Sequence, residues 1–113
     1  MRIRQLSLDE MTKEQREVYD ANMMSKRRRV PLPFYAWMLS PHMAKHIQPL
    51  SEYLRFQNLL GDRLTEIAVL LTARHWKAHY EWHGHKQHAL DAGLDPEIMA
   101  LFGLSVGACS PMI

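Results

Sequence analysis

At 113 residues the chain has the length of one compact domain, enough to bury a core without staples and too short for two independent cores. A hydrophobic content of 47% with 23% charge is ordinary for a globular protein, and no stretch approaches the ~20 uninterrupted apolar residues of a membrane span. The net charge of +2, much of it confined to Lys26-Arg27-Arg28-Arg29, is too local to argue for nucleic acid, and a lone Cys109 excludes an internal disulfide or any CxxC chemistry.

Met1 to Leu6 is followed by charged sequence rather than by the apolar run of a secretory leader, so a cytoplasmic protein is expected. The expectation is a single domain over 1–113, with a core over 6–102 and a small, loosely patterned tail over 103–113.

Helix punctuation is plentiful. Thr12 followed by Gln15 has capping-box spacing and predicts a helix over 12–24. Ser25 to Pro33 is basic and then bounded by prolines, which lack the amide donors of a helix interior, and reads as a solvated loop. Phe34 to Leu39 is an apolar run read as a short helix. Ser40-Pro41 places a cap before a proline at the first helical position and predicts a helix to about Leu60, kinked or divided at Pro49. Gly61-Asp62 ends that segment and caps the next.

From Arg63 to Ala92 there is no proline and only Gly84, with Leu64, Ile67, Ala68, Leu71, Ala78, Trp82 and Ala89 at helical spacing, so periodicity alone predicts one long helix. Gly93 is a natural stop, and Asp95-Pro96 predicts a last helix over about 96–102. Nothing alternates with a two-residue period, and the fold class is all-α.

Five of the seven histidines fall between His75 and His88. On a helix Glu81, His85 and His88 share a face, and a carboxylate beside an imidazole is a general acid–base pair. The competing reading is a weak surface ion pair. Trp82, Tyr80 and His88 are the candidate substrate-contact residues around it, although the commoner use of large aromatics such as Trp76, Trp82 and Tyr80 is in a core or subunit interface. His75, His79 and His83 form a second stripe at four-residue steps, a spacing common by chance in a histidine-rich helix, and no metal or other cofactor is assigned. Cys109 has no basic neighbour in sequence to activate it and is read as inert.

Glu66, fourteen residues, then Glu81-Trp82-x-x-His85, with Ala89, Ala92 and Gly93-Leu94 following, resembles the signature stretch of the carboxymuconolactone decarboxylase / alkylhydroperoxidase D superfamily. Upstream, Leu8-x-x-Met11-Thr12-x-x-Gln15-Arg16, Pro33-Phe34, Ser40-Pro41 and Leu59-x-x-x-Arg63-Leu64-x-Glu66 are similar to the preceding helices, so the likeness spans residues 6 to about 102. It implies an alkylhydroperoxidase D-like helical domain of about five to six helices, assembled as a homo-oligomer, a trimer or hexamer.

In the peroxidase branch a glutamate, a CxxC pair and a histidine form the centre; on this chain they map to Glu66, to Ala78 and Glu81, and to His85. Both thiols are absent, and dithiol peroxide reduction has nothing to run on. The decarboxylase branch carries a Glu-x-x-x-His, which Glu81 and His85 resemble. The resemblance therefore implies a lyase or proton-transfer enzyme acting on an acidic lactone or aromatic-catabolism intermediate, with His85 as proton donor, Glu81 as its charge partner and Glu66 as a relay behind them. The alternatives are an antioxidant-like member without the dithiol centre, or a non-catalytic oligomeric binding protein.

Relatives of the Glu-Trp-x-x-His form commonly have a second helical half, whereas this chain stops at Ile113, so a pocket wall is either missing or supplied by another subunit. The family also breaks the helix ahead of the motif, here near Arg74 to Lys77. One straight rod from 63 to 92 would leave Glu66 roughly 22 Å from Glu81 and rule out the relay.

Overall fold

The capping signals set the element order. In a computed structural model that describes residues 3–104, the chain forms a short 3-10 turn at Leu8–Glu10 and six helices: α1 (Lys13–Met24), α2 (Leu32–Trp37), α3 (Pro41–Phe56), α4 (Asp62–His75), α5 (His79–Asp91) and α6 (Pro96–Leu104). No strand occurs among the described residues, and no helix there is long and apolar enough to cross a membrane. The expected N-terminal segment Met1–Arg2, the greater part of the tail and Cys109 lie outside the described residues. The helices group into two compact units, Met1–Asn58 and Leu59–Ile113.

In the first unit α1 starts at the capping box its sequence predicts. The Thr12 hydroxyl accepts from the Gln15 amide and the Gln15 side chain accepts from the Thr12 amide, closing a capping box at the start of α1. Gln15 also donates to the carbonyl of Met38 at the end of α2, tying two helices together at 3.0 Å. Val18, Phe34, Met38 and Ala44 form the core, flanked by Tyr35, Trp37 and Ile47.

Two helix boundaries and the basic loop differ from expectation. Helix α2 begins at Leu32, so Pro33 belongs to it; in the first turn its missing N–H has no intrahelical acceptor to lose. Helix α3 ends at Phe56, short of Leu60, and continues through Pro49 as a single element. The basic loop is not wholly solvated either. Arg27 donates to the Ser51 carbonyl and hydroxyl and lies over the Phe56 ring, while Lys26, Arg28 and Arg29 are exposed.

In the second unit the single long helix expected over 63–92 is two helices with a corner at Trp76–Ala78. Lys77 there takes a left-handed φ of 54°. The amide of Ala78 donates to the Ala73 carbonyl at 2.7 Å and that of Lys77 to the Arg74 carbonyl at 3.0 Å, the paired 6→1 and 5→2 bonds of a Schellman motif. The same pair recurs after α5, where Gly93 has φ 88°, Leu94 donates to Ala89 and Gly93 to Leu90. At Gly93 the residue type announces the stop. At 77 a lysine occupies a conformation that costs L-residues about 1–2 kcal/mol, so nothing in the sequence pattern marks it.

The corner folds α5 back along α4, and Leu70, Ala89, Leu94 and Met99 form the core, with Ile67, Trp82, Leu90 and Phe102 packed around it. Thr65, Glu66, Leu70 and Ala73 make the buried face of α4, leaving Leu64 and Leu71, which had carried its apolar periodicity, 46% and 45% exposed. The Asp95 carboxylate accepts from the Glu97 amide at 2.7 Å, and α6 starts at Pro96 as expected.

Candidate acid–base site

The buried face of α4 presents the Glu66 carboxylate to α5. Glu66 is 1% exposed, among the largest fully buried side chains of the molecule. Burying a carboxylate is costly unless it is hydrogen-bonded, and the corner at 76–78 supplies the partner. Oε2 of Glu66 lies 2.8 Å from Nδ1 of His85. With Glu66 ionised, its carboxylate only accepts, and Nδ1–H of His85 is then the donor of this contact.

The other side of the ring faces outward. Nε2 of His85 lies 3.5 Å from Oε2 of Glu81, one helical turn earlier on α5, an ion-pair distance but long for a hydrogen bond. The side-chain exposures grade from 1% at Glu66 through 21% at His85 to 39% at Glu81. His85 therefore bridges a buried carboxylate and a half-open one, with one nitrogen fixed and the other reachable. Such a ring, held in one tautomer and orientation, can take up and release a proton at Nε2.

The six candidate residues distribute unevenly. Glu66, Glu81 and His85 come together, and the direct hydrogen bond of His85 is to Glu66 rather than to the helical neighbour that sequence spacing singled out. His88 is exposed and meets the His85 ring edge-on, centroids 5.7 Å apart. Tyr80 is 50% exposed, one turn before Gly84 on the outer side of α5. Trp82 points the other way, into the packing around Leu70 and Ala89.

The corner also breaks the second histidine stripe, leaving His75 on α4 and His79 and His83 on α5. Among the described residues no group of three or more His, Cys, Asp or Glu side chains is placed to hold a metal ion. Sequence reasoning missed Arg74. It lies two turns beyond Glu66 on the same face of α4, with Nη1 buried and without a hydrogen-bond partner among the described residues. Its spacing of eight from Glu66 was the available signal, readable only once that face is known to be the buried one. Compared with known proteins, the chain matches no family model, no curated protein and no solved structure.

Proposed function

We propose that the protein is a carboxymuconolactone decarboxylase-like enzyme, a lyase or proton-transfer catalyst acting on an acidic lactone or a related intermediate of aromatic catabolism. The observation that carries this reading is the His85 imidazole, anchored through Nδ1 on buried Glu66 and open at Nε2 beside Glu81. A surface ion pair needs no buried carboxylate behind it; a proton-transfer group needs one to fix its tautomer and to stabilise the imidazolium.

In the decarboxylation the bond from the ring carbon to the substrate carboxylate breaks and carbon dioxide leaves. The electron pair passes into a dienolate, and the His85 Nε2 proton is delivered to the dienolate carbon. His85 ends neutral with Nδ1–H still on Glu66. Glu81, at the solvent edge, attracts the proton that recharges Nε2. Glu66 is a positioning residue in this scheme and His85 the catalytic one.

A homo-oligomer, a trimer or hexamer, goes with the reading. What supports it is apolar surface that a monomer leaves to water: Trp76 at 75% exposed, Leu101 at 62% and the Leu64 and Leu71 face of α4. The experiment is turnover of 4-carboxymuconolactone followed by ultraviolet absorbance, with His85→Ala as the control. Turnover that disappears in the variant supports the assignment; a folded wild-type protein with no turnover rejects it.

A further inference from the structure

Gly84 sits in the interior of α5, where only proline is a poorer helix residue. Packing gives no reason for it: a Cβ built at Gly84 meets nothing within 4 Å, and its backbone is not in the left-handed region. Its neighbours along the helix surface are Tyr80 one turn before and His88 one turn after, both exposed. The three lie on one slanted line of α5, and the adjacent line carries Glu81 and His85. With side chains at 80 and 88 and none at 84, this stretch of helix has two walls, rings roughly 12 Å apart at their backbone origins, and bare backbone between them. One wall, His88, already touches the His85 ring.

We propose that this notch, floored by Gly84 and walled by Tyr80 and His88, is the subsite for a small planar ring of the substrate, holding its reacting carbon against His85. The inference rests on the function proposed above and deepens it: the substrate is limited to a flat ring about one helical turn wide. A side chain at 84 would fill the space the ring occupies.

The test is steady-state kinetics on 4-carboxymuconolactone for the wild type, Gly84→Ala, Gly84→Val and the exposed control His83→Ala, each with a thermal melt. The notch predicts that Gly84→Val raises KM by about tenfold or more, that Gly84→Ala gives a smaller rise, and that His83→Ala leaves KM unchanged. Gly84→Ala should at the same time melt at a higher temperature, since alanine favours the helix, which separates lost binding from lost folding. Wild-type KM in Gly84→Val, with turnover still dependent on His85, would overturn the notch and leave the proposed function standing. No turnover by the folded wild type would overturn both.

Discussion

Glu66 and His85 are 19 positions apart in the chain and 2.8 Å apart in space. In a continuous helix they would be separated by about 28 Å, so the contact is the product of the three-residue corner at Trp76–Ala78. A double-mutant cycle built on Glu66→Gln and His85→Ala, read by urea unfolding, should give a coupling of about 1.5–3 kcal/mol, as for hydrogen bonds to charged groups. The cycle on Glu81→Gln and His85→Ala should give no more than about 0.5 kcal/mol, since Glu81 is more than a third exposed. Equal couplings would mean that Glu66 is not the residue holding the ring.

The two Schellman corners differ only in the residue that turns left-handed. Lys77→Gly should raise stability by about 0.5–1 kcal/mol, because relief of the φ 54° strain exceeds the extra unfolded-state entropy of glycine. Gly93→Ala should lower it by about 1 kcal/mol, since its φ of 88° is unfavourable for any side chain. Chemical denaturation of both variants checks this. A destabilised Lys77→Gly would mean that the lysine side chain contributes packing beyond its backbone.

The two faces of α4 make a further contrast. Leu70, with 0% exposed, should cost about 2–5 kcal/mol on truncation to alanine. If the protein is the proposed homo-oligomer, Leu64→Glu combined with Leu71→Glu should leave the helical circular dichroism intact and reduce the mass found by sedimentation, because those side chains are half-exposed apolar surface. An unchanged mass would show that this face is not the subunit contact.

At the N-terminal turn the Glu10 carboxyl is held below its ordinary value of 4.5. The causes are first the Ser7 backbone N–H, then the Ser7 hydroxyl, and then Arg4. A depressed folded-state pKa means that the turn's stabilisation is fully present above the unfolded value near 4.5 and is lost as pH falls through the folded one. Ser7→Ala, which removes the hydroxyl bond, should move the Glu10 carboxyl midpoint upward in an NMR titration. An unmoved midpoint would place the effect in the backbone bond and Arg4.

Much of this architecture was legible from caps alone. Thr12 with Gln15 and Asp95-Pro96 start helices through side-chain caps, Gly93 ends one through its left-handed backbone, and Ser40 stands at the start of α3 without a side-chain cap bond, followed by Pro41. The corner at 76–78 was invisible to periodicity because Lys77 adopts a conformation that glycine or asparagine would have advertised; only the resemblance predicted a break near there. The site was half legible for the same reason. Glu81 and His85 follow from four-residue spacing, but the burial of Glu66 depends on which face of α4 turns inward, and an apolar pattern through Leu64 and Leu71 pointed to the other one. Helix α2 shows the limit of reading prolines as breakers: Pro33 occupies a first-turn position where a proline costs nothing.

The central claim, that His85 transfers a proton while Glu66 holds it, is tested most directly by turnover of 4-carboxymuconolactone in the wild type, Glu66→Gln, Glu81→Gln and His85→Ala, each matched for helical content. The account predicts loss of turnover by about 10²–10⁴-fold in His85→Ala, and by about 10–100-fold in Glu66→Gln, where the ring keeps a hydrogen-bond acceptor but loses the charge behind it. Glu81→Gln should likewise lower turnover. Undiminished turnover in His85→Ala, or in Glu66→Gln with the fold intact, would contradict it.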